Sequence, residues 1–180
     1  ASAFAALALA ATGAAGVERN AEQLAILARR GSGSAARSIY GGFVEVVRDD
    51  GPDHGWSTRT FCEGAHWPLN IVIAIVDRKP KRISSRAAMV ATQRSSPFFP
   101  AWVESHAVDL RECREAVINC DFDKLAAVVE RNCLRMHAVI MAADPGIVYW
   151  QPGTVAVIHA VRALRALGVG ACFTIDAGPQ

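Results

Sequence analysis

The hydrophobic and polar positions of the chain divide it into six helical and three extended segments. Residues 1–15 are nearly all alanine and other small or apolar residues, and read as a helix able to pack closely on a neighbour. No capping residue precedes it, which suggests a chain cut inside a helix. Asn20 opens a second helix, with Gln23 three residues on as a capping-box partner. Leu24, Leu27 and Ala28 form its apolar face, Arg29 and Arg30 suit the negative end of its dipole, and Gly31 ends it. Phe43–Val47 alternates about Glu45 and predicts a strand, and residues 49–55, with Gly51, Pro52, Asp53 and Gly55, predict a turn. Leu69–Val76 is rich in Ile and Val and predicts a buried strand. Asp77–Arg82 is a polar hinge containing Pro80, and marks the expected boundary between two subdomains.

Beyond the hinge the pattern is mainly helical. Ser84–Arg94 is one helix, and Pro97 and Pro100 launch another through Val117. Asp121 caps the next, with Leu125, Val128, Met136 and Ile140 at roughly helical spacing. Pro152 suits the first turn of the last helix, whose expected buried face is Val157, Val161 and Leu164 and whose end is Gly168. Gly170–Ile175 predicts a final strand that delivers Asp176-Ala177-Gly178-Pro179 into a turn.

Composition narrows the class. The chain has 180 residues, 52% hydrophobic and 20% charged, so it is neither disordered nor a coiled coil. A chain of this length can bury roughly 70% of its unfolded surface and needs no covalent staples. A net charge of +2, from 19 basic and 17 acidic residues, argues against a dedicated nucleic-acid binder. Sixteen of the basic residues are Arg and three are Lys (Lys79, Lys81 and Lys124), which fits oxyanion binding or a GC-rich genome equally. Cys62, Cys113, Cys120, Cys133 and Cys172 are odd in number and form no CxxC pair, so reduced, mostly buried thiols are expected, with Cys113 and Cys120 on one packed stripe. The apolar N-terminal run lacks a basic leader region and is broken by Gly13, Gly16 and Glu18, and no other run approaches the 20 or so residues of a membrane span.

Three segments could carry chemistry. Gly31-Ser32-Gly33-Ser34-Ala35-Ala36-Arg37-Ser38 offers glycines for close backbone approach and an Arg one helical turn after Ser34. It fits a carboxylate or phosphate site, or a plain Gly/Ser connection with a surface Arg. Ser84, Ser85 and Arg86 stand at a helix start behind Lys79, Lys81 and Arg82. They could hold phosphate on free N–H groups, or Ser84 could be an N-cap and no more. Asp176 stands where a strand meets a Gly-Pro turn, a place for a catalytic carboxylate or for a turn-forming Asp. His54, His66, His106, His137 and His159 have no ligand partner at metal-binding spacing. His137 could face a cleft or sit satisfied in the core.

Together these segments resemble one family. Gly31–Ser38 followed by Gly41-Gly42 is similar to its GSGSAxRS…GG signature, Ser84-Ser85 with Met89 and Thr92 to its SSxxGM region, and Phe173–Pro179 to its FTxDAGPN signature. Asn132–Ala138 and Ser95-Ser96-Pro97 match as well. The family is diphosphomevalonate decarboxylase, of the GHMP kinase superfamily. The resemblance implies an α+β, GHMP kinase-like two-layer fold incomplete at both ends. A ribosomal protein S5-like N-terminal part would occupy residues 1–78 and most of an α/β C-terminal part residues 79–180. Family members are nearly twice this length, so the phosphate loop, the N-terminal strands, the substrate Lys and Tyr and the closing C-terminal strands are expected outside this chain. Two positions depart from the pattern: Ala87-Ala88 replaces a small-Gly pair, and Gln180 stands where Asn is usual.

The implied reaction is ATP-dependent decarboxylation of mevalonate 5-diphosphate to isopentenyl diphosphate, in isoprenoid and sterol synthesis by the mevalonate pathway. By resemblance, Asp176 and Arg37 are catalytic: the carboxylate orients or deprotonates the tertiary hydroxyl, and the guanidinium grips the substrate carboxylate. Ser32, Gly33, Ser34, Ser84, Ser85, Arg86 and Ala177 would complete the substrate contacts. Ser2 would touch ATP, whose phosphates carry Mg²⁺. A cytoplasmic homodimer, bound to neither membrane nor nucleic acid, is expected. A mevalonate 5-phosphate decarboxylase, a mevalonate 3-kinase and an inactive truncated fragment are the alternatives.

Overall fold

The computed structural model describes residues 2–49 and 55–180. Ala1 and the turn expected at residues 50–54, with His54, lie outside the described residues. The chain forms two compact units, Ala1–Leu69 and Asn70–Gln180, which divide upstream of the hinge read at Asp77–Arg82.

In the first unit, α1 (Ser2–Ala14) and α2 (Ala21–Gly31) pack through small side chains. Ala5 and Ala8 meet Leu24 and Ala28, and Ala35 of a 3-10 turn (Ala35–Ile39) closes the cluster. The N-cap of α2 is as its spacing predicts: Asn20 Oδ1 accepts from Gln23 N–H at 2.9 Å, and Gln23 Oε1 accepts from Asn20 N–H at 3.2 Å. Gly31 does not stop the helix but is its last residue, and Ser32 is the C-cap. A Cβ at Gly31 would run into the Phe4 ring. Packing against Phe4 is therefore a reason for glycine at this position.

Next come β1 (Phe43–Arg48) and β2 (Trp56–Cys62), an antiparallel pair in which Val44 opposes Thr60 and Glu45 opposes Arg59. The first strand was legible as an alternating run, but its sense is inverted. Glu45 is the buried position and the apolar residues are half-buried. The Arg59 Nε–H donates to Glu45 Oε1 at 2.8 Å, which compensates the buried carboxylate. The second strand, WSTRTFC, has no strong apolar alternation, and its pairing depends on β1.

In the second unit, residues 70–76 correct the strongest strand expectation. They run without a strand partner among the described residues. Ile71 and Val72 are 88% and 90% exposed. An Ile/Val run of this kind is buried when neighbouring strands pair with it and other elements cover its faces, and no strand among the described residues pairs with it. Residues 170–175 likewise belong to no sheet.

Helices build the rest: α3 (Ser85–Ser95), α4 (Phe99–Ile118), α5 (Phe122–Met141) and α6 (Pro152–Ala166). Pro100 sits in the first turn of α4 and Pro152 in that of α6, where a missing N–H costs nothing. Asp121 caps α5 by accepting from Lys124 N–H at 3.0 Å. Asp109 of α4 is buried and bound by α5: Arg131 reaches it at 2.7 Å, Asn132 at 2.9 Å and Arg135 at 3.2 Å. On α6 the buried residues are Thr154 and Ile158, whereas Leu164 is exposed. Ile158 joins Cys133, Phe173 and Ile175 in one core. Ala88, Ile140 and Tyr149 form a second, against which Ala177 packs. Ala88 is fully buried there, so the position calls for a small side chain.

None of the five cysteines, all of them described, is in a disulfide, and only Cys133 is fully buried. Cys120 is exposed and lies past the end of α4 at a φ of 52°, so it shares no helical stripe with Cys113. Among the described residues, no helix is long and apolar enough to cross a membrane.

Candidate active site

The turn at the chain's end is held by its backbone on every side. Asp176 C=O accepts from Gly178 N–H at 2.6 Å. Ala177 C=O accepts from the Lys81 ammonium at 2.6 Å and from the Ser85 hydroxyl at 3.4 Å. Thr154, at the start of α6, donates its hydroxyl to Pro179 C=O at 2.5 Å. Gln180 Oε1 accepts from Val76 N–H and Asp77 N–H at 3.3 and 3.2 Å. The residue that departs from the family's usual Asn thus ties the turn to the extended segment 70–76. Amid these bonds the Asp176 side chain is exposed and takes no hydrogen bond or ion pair from the described residues. The carboxylate is thus not used to bond its own turn.

The start of α3 lies against this turn. Ser84 is the N-cap and accepts from Ala87 N–H at 3.2 Å, as the plain reading of the sequence had it. The cap leaves the N–H groups of Ser85 and Arg86 in the first turn without a helical partner, at the positive end of the dipole. Lys81 Nζ also donates to Ser85 Oγ at 3.1 Å and lies 6.0 Å from the Tyr149 ring centroid. The Tyr149 hydroxyl donates to Ile83 C=O at 3.2 Å and fixes the approach to the helix. Ser85 and Ala177 are therefore in contact, with Ser84 and Arg86 flanking the one in the chain and Asp176 preceding the other, and the Lys81 ammonium stands at the helix N-terminus. Such a set can bind phosphate oxygens.

Sequence reasoning placed Lys81 only as one of three basic residues just before the start of α3. Its tie to Ala177 spans 96 positions, and no local spacing could signal it. His137 proves to be the satisfied core histidine of the two readings: it is 1% exposed, with Nε2 3.1 Å from Ile175 O. Burial pushes its pKa down, partly opposed by the Ile175 and Asp176 carbonyls and the Asp176 charge. Burial also pushes the Cys133 thiol up.

In the first unit the 3-10 turn carries Arg37. Ala35 and Ala36 are 0% exposed, while Arg37 and Ser38 point outward. The guanidinium thus projects from a backbone anchored in the core, with no ion pair to the described residues. Ser32 and Ser34 hydroxyls lie 3.3 Å apart before it. Gly33 is exposed, its φ is not in the left-handed region, and nothing lies within 4 Å of where its Cβ would be. The fold of the unit alone gives no reason for a glycine there. Ser2 is exposed in the first turn of α1, three residues before Ala5, which packs against Ala35.

Residues 1–57 match the model of the diphosphomevalonate decarboxylase-like N-terminal domain, and residues 71–180 that of the mevalonate 5-diphosphate decarboxylase C-terminal domain. The chain belongs to the mevalonate diphosphate decarboxylase family. A phosphomevalonate decarboxylase of Haloferax volcanii is 34% identical over 179 residues, covering 99% of this chain and 54% of the relative. A solved structure of the mevalonate diphosphate decarboxylase from Enterococcus faecalis, described in terms of mevalonate diphosphate-mediated ATP binding, is 36% identical. It superposes with a TM-score of 0.85 over 99% of this chain and 55% of its own. A further solved complex, described as MDDEF with MVAPP, AMPPCP and magnesium, is 36% identical with a TM-score of 0.87, over 99% of this chain and 55% of its own. The chain spans about half the length of the relatives it matches. The mixed α+β architecture of a mevalonate diphosphate decarboxylase accounts for both units.

Proposed function

We propose that this protein catalyses the ATP-dependent decarboxylation of mevalonate 5-diphosphate to isopentenyl diphosphate, with release of ADP, phosphate and carbon dioxide. The observation that carries the reading is the docking of the Asp176 turn on the start of α3 through Lys81 and Ser85. It supports the reading because a helix N-terminus with an ammonium at hand suits phosphate oxygens, and Asp176 is the next residue in the chain to the docked Ala177.

The chemical difficulty is a tertiary hydroxyl, which leaves poorly. ATP, with Mg²⁺ on its phosphates, supplies the phosphoryl group that converts it to a leaving group. Asp176 orients or deprotonates that hydroxyl, and its charge opposes the positive charge that develops at the carbon as the phosphate departs. Arg37 grips the substrate carboxylate through its planar fork and fixes its plane for fragmentation, while Ser32, Gly33 and Ser34 line its approach. Ser84, Ser85 and Arg86, with Lys81, hold phosphate oxygens, and Ser2 touches ATP. Among the described residues no three His, Cys, Asp or Glu side chains converge on a metal position. Mg²⁺ on the nucleotide needs only one or two protein carboxylates when phosphates and water complete its shell. On this reading the protein is a cytoplasmic homodimer serving isoprenoid and sterol synthesis.

The test is carbon dioxide release by the full-length protein, with and without ATP, from the 5-diphosphate and the 5-monophosphate substrates. Faster ATP-dependent release from the diphosphate supports the proposal. A preference for the monophosphate, the substrate type in the name of the Haloferax volcanii relative, would transfer the protein to that activity. Phosphorylation without carbon dioxide would make it a 3-kinase, and no turnover of either substrate would leave the decarboxylase reading without support.

A further inference from the structure

Residues 173–175 run extended through the core of the second unit, yet no strand pairs with them among the described residues. Unpaired backbone groups inside a core are costly, so another partner has to take them. Side chains of α5 do so. Glu130, Cys133 and His137 stand at i, i+3 and i+7 on one face of that helix. Glu130 Oε1 accepts from Phe173 N–H at 3.4 Å, and Cys133 Sγ accepts from Ile175 N–H at 3.2 Å. His137 Nε2 meets Ile175 O at 3.1 Å. A carbonyl only accepts, so Nε2 carries the hydrogen.

The match is one of periods. In an extended segment residues i and i+2 face the same way, and their N–H groups at 173 and 175 meet helix positions 130 and 133. All three side chains are buried, and Glu130 is itself held by Arg165 Nη2 at 3.0 Å. The residue after this clamped segment is Asp176, whose own side chain is not bonded to any described residue.

We propose that Glu130, Cys133 and His137 are positioning residues: they hold the Phe173–Ile175 backbone in place and so set where the Asp176 carboxylate stands, with His137 bearing on the last peptide before it. The catalytic consequence rests on the role assigned to Asp176 above, whereas the clamp itself does not.

Two substitutions in the full-length protein separate position from fold. His137→Gln keeps an N–H donor at the same reach, and His137→Phe keeps a ring without one. One readout is steady-state kinetics with ATP and mevalonate 5-diphosphate. The other is backbone amide exchange, followed by mass spectrometry, in peptides covering 172–178 without substrate. In His137→Phe, kcat should fall about 10- to 100-fold with both KM values within about threefold, as expected for a misplaced reacting group. Exchange across 174–176 should quicken roughly tenfold as the segment opens locally. His137→Gln should restore both to within about threefold of the parent.

Unchanged exchange in His137→Phe would overturn the clamp, as would a Gln variant that exchanges as fast as the Phe variant. Loosened exchange with parental kcat, or a loss carried by KM alone, would overturn the link to Asp176. If His137→Phe does not fold, Cys133→Val against Cys133→Ser is read in the same way. A parent protein that turns over no substrate defeats the decarboxylase assignment, and the exchange comparison then decides the clamp by itself.

Discussion

Arg37 and Asp176 illustrate at the scale of single residues how a fold presents a side chain to solvent. Each extends into solvent from a backbone that is fixed: Arg37 behind two fully buried alanines, Asp176 amid a turn bonded at residues 177, 179 and 180. If Asp176 is base and charge stabiliser together, Asp176→Ala in the full-length protein should lower kcat by at least about 10³-fold. A loss below tenfold would remove it from the reacting centre. Arg37→Lys keeps the charge and loses the fork, so its activity should also drop sharply, and turnover at the parental rate would release Arg37 from the carboxylate. Both residues are singled out in the sequence by the motifs around them, and their exposure on anchored backbone is compatible with the proposed roles. The contacts of Lys81 and Gln180 were not legible there, because their partners lie 96 and more than 100 positions away.

Elements raise a different question, namely what holds one helix to another where apolar contact is thin. Between α4 and α5 the answer includes Asp109, buried and surrounded by Arg131, Arg135 and Asn132, with Glu112 also bound to Arg131. Burial alone would raise the Asp109 carboxyl, but the hydrogen bonds from Asn132 and Arg131 and the charges of Arg131 and Arg135 outweigh it and hold the group below the ordinary carboxylate range. Replacing Asp109 with Ala leaves Arg131 with Glu112 alone and removes the carboxylate that Arg135 and Asn132 share. The second unit should lose about 1.5–3 kcal/mol in denaturant unfolding, the scale of hydrogen bonds to a charged group. A loss under about 1 kcal/mol would mean that the cluster behaves as an exposed one. At the start of α3, Ser84→Ala should cost about 1 kcal/mol through the lost cap. It should also weaken diphosphate binding, a second effect that a cap alone would not produce.

For the whole molecule, buried titrating groups shape stability against pH. His137 is pushed down by burial, so the unfolded chain takes a proton there more readily than the folded chain. Its contribution is complete above the unfolded value of about 6.5 and is lost as pH falls from there toward the lower folded value. Asp109 adds a second loss at more acid pH: its contribution is present above the unfolded value of about 3.9 and disappears as pH falls through the depressed folded value. The melting temperature should therefore decline from pH 7 to pH 5, and His137→Phe should flatten that decline. A curve of the same slope in both proteins would show that His137 does not titrate between the states. The sequence by itself determined the helices and their caps, because helical spacing and capping are local: Asn20 with Gln23, Ser84 with Ala87 and Asp121 with Lys124 need only a few residues to declare themselves. It also determined, through three ordered motifs, the family. The tertiary structure alone decided the fate of the extended runs. Residues 70–76 and 170–175 have the composition of strands, but a strand is a relation between segments, and among the described residues one run is left without a strand partner and the other is met by the side chains of a helix. It likewise decided that Glu45 is inside and Leu164 outside, since which face of an element is buried depends on what packs there and not on the element's own period.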